Sequence, residues 1–152
     1  MAVGTQRTHW YLLDLPGGKA AILEPGKYEL YGWLKAHTHP GEDYFGIAPI
    51  SLPLGLQCPA PIQQPGPWAY YRQEHIARSI TALEDHRIPL LVLRPYSRFE
   101  NTPGYDATRL HELEKYVAMH YHMTRQFSTG DQVWERNTDG DPENEDGSAG
   151  SP

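Results

Sequence analysis

The stretch "IPLLVLRP", Ile88 to Pro95, constrains the fold more than any other part of this chain. Leu90, Leu91, Val92 and Leu93 are consecutive and apolar, so an element with one wet face cannot hide them all. Pro89 and Pro95 bracket too short a span for a helix. A strand covered on both faces is left, and such strands sit inside sheets. The sequence therefore has to supply other strands to pair with it and helices to cover it.

The flanking patterns supply both. His9 to Leu15 and Lys19 to Leu23 surround "PGG" and read as a hairpin. Pro25-Gly26 breaks the chain. Leu30, Trp33, Leu34 and His37 then recur at the spacing of one helix face. Thr38-His39-Pro40-Gly41 stops that helix, because proline disfavours helix in the residue before it and glycine permits a turn. Tyr44 to Ala48 is a short apolar strand. Six prolines between Pro49 and Pro67 predict a long loop with one helical turn around Leu54. Gln73 to His86 is a helix with Ile76, Ile80 and Leu83 on one face. Asp106 or Thr108 can cap a further helix whose face is Leu110, Leu113 and Val117. Met123 to Phe127 and Gln132 to Arg136, joined by Ser-Thr-Gly-Asp, form a second hairpin.

This order predicts an α/β fold, a three-layer-like sandwich with a mostly parallel central sheet, antiparallel edge strands and hairpins. Residues 1–8 are expected to be a flexible N-terminus, 9–136 a single domain, and 137–152 a disordered acidic tail. That tail holds Asp139, Asp141, Glu143, Glu145 and Asp146 and no Lys or Arg. It carries most of the net charge of −6 and leaves the body near neutrality. No basic block is present, so no nucleic-acid partner is expected. The lone Cys58 excludes an intrachain disulfide and a cysteine-rich zinc site.

Two clusters could carry chemistry. "LYGWLKAHTHPGED" sets His37 and His39 in a His-x-His-Pro motif, which resembles the metal site of JAMM zinc peptidases. Such a site needs a third ligand, since catalytic zinc takes three protein side chains and a water. The resemblance places a Ser at position 47 and an Asp at position 50, where this chain has Ile47 and Ile50. Its His-x-His also follows a strand, whereas here it follows a helical pattern. The alternative is a helix end, where a histidine in the last turn is favoured by the dipole. The second cluster is Arg94, Tyr96 and Arg98, just past the central strand. Ligands of open α/β sheets bind outside the carboxyl ends of strands, and two guanidinium groups with a phenol suit an anion. The alternative is that Arg94 and Arg98 pair with acids of neighbouring loops. No catalytic residue and no cofactor are assigned.

The order of motifs resembles the soluble C-terminal domain of GT-C-type membrane glycosyltransferases. These are the multi-spanning enzymes related to protein O-mannosyltransferases and aminoarabinose transferases. The segment that carries the resemblance is Trp33-Leu34, Thr38 and Pro40-Gly41-Glu42 followed by an apolar strand. "IARSITALEDHRIPLLVLRP" and "HYHMTRQFSTGDQVWERN" resemble that domain's later helix and strand and its closing strand pair. The resemblance implies an accessory, non-catalytic module on the extracytoplasmic face. Its partners would be its own or a separate membrane-spanning part and the polyprenyl-phosphate-sugar donor. No stretch here has the roughly 20 apolar residues of a membrane span, and the first residues lack the apolar core of a signal peptide. Standing alone, such a chain is expected in the cytoplasm.

Overall fold

A computed structural model describes residues 10–62, 72–94 and 110–138. In chain order these form β1 (Tyr11–Leu15), β2 (Gly18–Ile22), α1 (Pro25–His37), β3 (Tyr44–Gly46), α2 (Ala48–Leu54), α3 (Gln73–Asp85), β4 (Leu90–Leu93), α4 (His111–His120), β5 (Tyr121–Gln126) and β6 (Gln132–Arg136). The fold is of mixed α/β type, with a four-stranded sheet in the order β3-β4-β6-β5 and a separate two-stranded sheet, β1-β2.

The apolar run of β4 lies inside the larger sheet and is buried on both sides. Leu90 and Val92 join a cluster with Leu30 and Leu34 of α1, Ile50 and Leu54 of α2, and Leu15 of β1. Leu91 joins a different cluster, with Ile76 and Leu83 of α3, Leu113 and Val117 of α4, and Phe45 of β3. Successive side chains of a strand point to opposite faces, so each face of the sheet has its own core.

The expectation of a mostly parallel sheet is corrected. Only β3 and β4 pair in parallel, with Phe45 opposite Leu91, while β4-β6 and β5-β6 are antiparallel. Parallel neighbours need a long crossover, and the segment holding α2 and α3 provides one between β3 and β4. After α4 the chain runs straight into β5. The short turn at Ser128 to Asp131 returns β6 antiparallel to β5, and β6 lies between β5 and β4, antiparallel to both.

The first hairpin forms as read, with Leu12 opposite Ala21 and Leu15 opposite Gly18. It does not extend an edge of the larger sheet. Leu13 and Ala20 instead pack on the cluster around Leu30 and Leu34, so the hairpin lies against α1. Pro25 opens α1, where its missing N–H costs nothing. Thr38 closes it in extended conformation, its hydroxyl donating to the Leu34 carbonyl at 2.7 Å.

Two boundaries move. The strand expected over Tyr44 to Ala48 ends at Gly46, and Ala48 already begins α2. Pro49 lies in the first turn of α2 and Pro53 in its last, and Gly55, at φ +70, ends it in left-handed conformation. The proposed capping residues Asp106 and Thr108 lie outside the described residues. The residue before α4 is Leu110, with no side-chain cap. Asn137, placed in the tail by the sequence, is held to the domain. Its N–H donates to the His120 carbonyl at 2.9 Å, and its side-chain oxygen lies 2.9 Å from Nδ1 of His122. Among the described residues, no helix is long and apolar enough to cross a membrane.

Candidate functional site

The His37-Thr38-His39-Pro40 motif lies at the end of α1, ahead of β3. His37 stacks on Trp33, with ring centroids 3.9 Å apart and 11° between planes. Its Nδ1 is 2.7 Å from the Trp33 carbonyl, to which it donates. His39 is bound differently. Glu42 accepts from its backbone N–H at 2.9 Å and pairs with its Nδ1 at 3.0 Å. Each histidine thus completes its own turn of backbone. Where the peptidase pattern requires a Ser and an Asp, Ile47 precedes α2 and Ile50 is 2% exposed in the core. Among the described residues, no three His, Cys, Asp or Glu side chains group as metal ligands do.

Beside this motif is a cleft of about 280 Å³, reached by His37, Asp43, Pro89, Glu135 and Arg136. Tyr44 and Leu90, the first residues of β3 and β4, also line it, so it opens at the amino ends of the parallel pair. Two of its charges, Asp43 and Arg136, are committed to the fold. His86 Nδ1 is 3.0 Å from Asp43 Oδ2, tying the end of α3 to the start of β3. Arg136 donates to Glu84 at 2.8 Å and to the Leu83 carbonyl at 3.0 Å, and Tyr116 donates to Glu84 as well. The Tyr116 hydroxyl and Arg136 hold the Glu84 carboxyl below its ordinary range. Burial, and then the bond to Glu84, push the Tyr116 phenol up to about 12.

The other end of the sheet carries Arg94, immediately after β4. Its Nε and one terminal nitrogen donate to the two oxygens of Asp131, at 2.8 and 3.0 Å. This is the bidentate fork that guanidinium and carboxylate form best. Asp131 is 1% exposed. It also accepts from the Thr129 hydroxyl at 2.6 Å, and its carbonyl accepts from the Phe127 N–H at 2.8 Å. The bonds to Asp131 raise the affinity of Arg94 for its proton. The chain leaving β4 is therefore anchored to the β5-β6 turn. Tyr96 and Arg98 lie outside the described residues.

Sequence reasoning found Arg94 but not Asp131. The Ser-Thr-Gly-Asp turn was legible, and nothing in it named a partner 37 residues away. Asp43 and His86 were missed for the same reason. His111 and His120 fall at opposite ends of α4, and the His120 ring lies against Tyr116, with centroids 4.4 Å apart. Burial, together with the nearby Asp43 carboxylate, raises the pKa of the half-buried Cys58 thiol, the opposite of what a nucleophile needs.

The chain matches no protein-family model, no curated protein and no solved structure.

Proposed function

We propose that this chain is a soluble, non-catalytic accessory module of a membrane glycosyltransferase that uses lipid-linked sugar donors. The observation that carries the reading is the form of Trp33 to Gly46. α1 ends at His37, Thr38 leaves it in extended conformation, Gly41 turns the chain, and β3 enters the sheet beside β4. The helix, turn and strand of the resemblance therefore fall on a helix, a turn and a strand here. The later segments agree in order, with α3 leading into β4 and β5 returning as β6.

The polar groups support an accessory role. Arg94 spends two donors on Asp131, which weakens its claim as an anion site. His37 and His39 serve their own turns. In this reading the larger sheet is the middle of three layers. α1 and the first hairpin cover the face of Leu90 and Val92, and α3 and α4 cover the face of Leu91. The module stands on the extracytoplasmic side against its own or a separate membrane-spanning part, which holds the polyprenyl-phosphate sugar.

The test is recovery of the tagged chain from its source cells. The expected result is a detergent-stable complex with a multi-spanning protein that transfers sugar from a polyprenyl-phosphate donor. A chain recovered wholly without membranes, or a membrane partner lacking that transfer activity, would refute the reading.

A further inference from the structure

Strand β6 breaks its own pattern at one position. Its sequence is Gln-Val-Trp-Glu-Arg, and side chains alternate between the two faces of the sheet. Val133 is fully buried and packs in the cluster with Leu30, Leu34 and Leu90. Two residues on, Glu135 points to the same face. It stands directly opposite Leu90 on β4 and His122 on β5, and opposite residues of an antiparallel pair share a face. Tyr44 on β3 is in turn opposite Leu90 and packs in the same cluster. A half-buried carboxylate thus stands in line with two side chains that the core takes in.

The groups around Glu135 are engaged elsewhere. Arg136, the next residue, is opposite Tyr121 on the other face and donates to Glu84 and to the Leu83 carbonyl. Asp43 is paired with His86, and Glu42 with the N–H and ring of His39. His122 has its Nδ1 2.9 Å from the side-chain oxygen of Asn137. Among the described residues, Glu135 makes no hydrogen bond and no ion pair. A charge drawn partly out of water without a counter-charge is a cost to the fold. Departures of this kind from an apolar pattern belong to functional sites.

Glu135 lines the cleft of about 280 Å³ at the amino ends of β3 and β4. Leu56, Pro89 and Leu90 give that cleft an apolar wall. His37 lines it too, and because its Nδ1 donates to the Trp33 carbonyl, its Nε2 is left as an acceptor in the neutral ring. We propose that the cleft binds a small organic cation, an ammonium group on a short alkyl chain, with Glu135 as its counter-ion. The alkyl chain lies on the apolar wall, and the ammonium donates to the carboxylate. A divalent metal is the poorer occupant, because among the described residues no three His, Cys, Asp or Glu side chains group as ligands. An anion is repelled by Glu135 and finds Arg136 already engaged. The volume is at the small end of ligand clefts, which suits one short chain. Nothing in this site depends on the accessory-module reading above.

The test is a titration of the isotope-labelled full chain, followed by its backbone amide signals in magnetic resonance. The probes are n-butylammonium, Nα-acetyl-lysine amide and n-butanol. The first two share an ammonium group and stand for two sources, a free amine and a lysine side chain of another protein. At least one of them is expected to shift the amides of Leu90 and Glu135 saturably, and n-butanol to shift neither. The tighter of the two names the source. Glu135→Gln is expected to weaken binding by about tenfold or more. Glu29→Gln, the same change of charge at an exposed position of α1, should leave it unaltered. Without ligand, Glu135→Gln should melt at the parent's temperature or above, since it removes a charge that nothing pairs. No saturable shift with either ammonium compound, equal shifts with n-butanol, or equal binding by Glu135→Gln would each overturn the proposal. So would a lowered melting temperature in unliganded Glu135→Gln, which would make the carboxylate a structural one. Saturable shifts with zinc ions and none with either amine would give the cleft to a metal and overturn it as well.

Discussion

Truncating Arg94 decides between a ligand-binding arginine and a structural one. An arginine held for an incoming anion can be removed without loss of stability. The geometry here says otherwise. Asp131 is 1% exposed and receives two bonds from Arg94, at 2.8 and 3.0 Å. Removing one partner of a buried pair strands the other charge and costs about 3–5 kcal/mol. Arg94 itself is 35% exposed, so water enters where its side chain was. The Thr129 hydroxyl still donates to Asp131. Both effects bring the expected loss in Arg94→Ala down to about 2–3 kcal/mol. For a chain of this size that is a fall in melting temperature of about 6–9 °C. Urea unfolding monitored by circular dichroism measures it. A double-mutant cycle then isolates the pair. With Asp131→Asn in place, Arg94→Ala should cost at least about 1 kcal/mol less than in the parent. An Arg94→Ala protein as stable as the parent, or additivity in the cycle, would refute this account of Arg94.

Three further outcomes are expected. Gly46→Ala should destabilise by roughly 2–4 kcal/mol in urea titration, because Gly46 has φ +146 and an added Cβ would stand 2.8 Å from the Val92 carbonyl carbon. Leu91→Ala should cost about 2–5 kcal/mol, whereas Leu12→Ala, at a position 72% exposed, should stay within about 0.5 kcal/mol of the parent. Glu84→Gln should flatten the acid limb of the stability curve. The carboxyl is held below its ordinary value of 4.5 by Tyr116 and Arg136, so its contribution is present above that value and is lost as pH falls through the lower folded one. Parent and variant should therefore converge in urea midpoint on acidification, and curves that stay parallel would show that Glu84 contributes nothing.

The parts of the fold that were legible depend on neighbours in sequence. β4 was read from four apolar residues between two prolines, and it is buried on both faces. α1 and α3 were read from one-face periodicity, and Leu30, Leu34, Ile76 and Leu83 are all in the core. The sheet's direction was not legible. It depends on β6 crossing from β5 to β4, and Tyr-His-Met-Thr-Arg-Gln and Gln-Val-Trp-Glu-Arg state no preference for β4 as a neighbour. α2 was underestimated because six prolines suggested a loop, although Pro49 and Pro53 occupy the first and last turns of a seven-residue helix. The sites divide the same way. Arg94 was found from its place after a buried strand, while Asp131 and the Asp43-His86 pair required the folded arrangement.

The hairpin shows how a local reading can be right and still lead to a wrong place. Both of its strands formed where expected, yet they stand apart from the larger sheet. An isolated two-stranded hairpin is marginal in water. This one is held because Leu15 is 7% exposed in the core and Leu13 and Ala20 pack behind it. Burial of one hairpin face replaces the ladder bonds that a place in the larger sheet would have supplied. The cost is a strand edge with no second partner among the described residues, beside exposed Leu12 and Leu23. A chain with no outside partner would gain from a bulge, a proline or a charge at Ala20 or Ala21, as β5 does with its shifted register and Arg125. Ala20 and Ala21 carry no such protection, and Lys19, at the turn end opposite Asp14, is the one charge on β2.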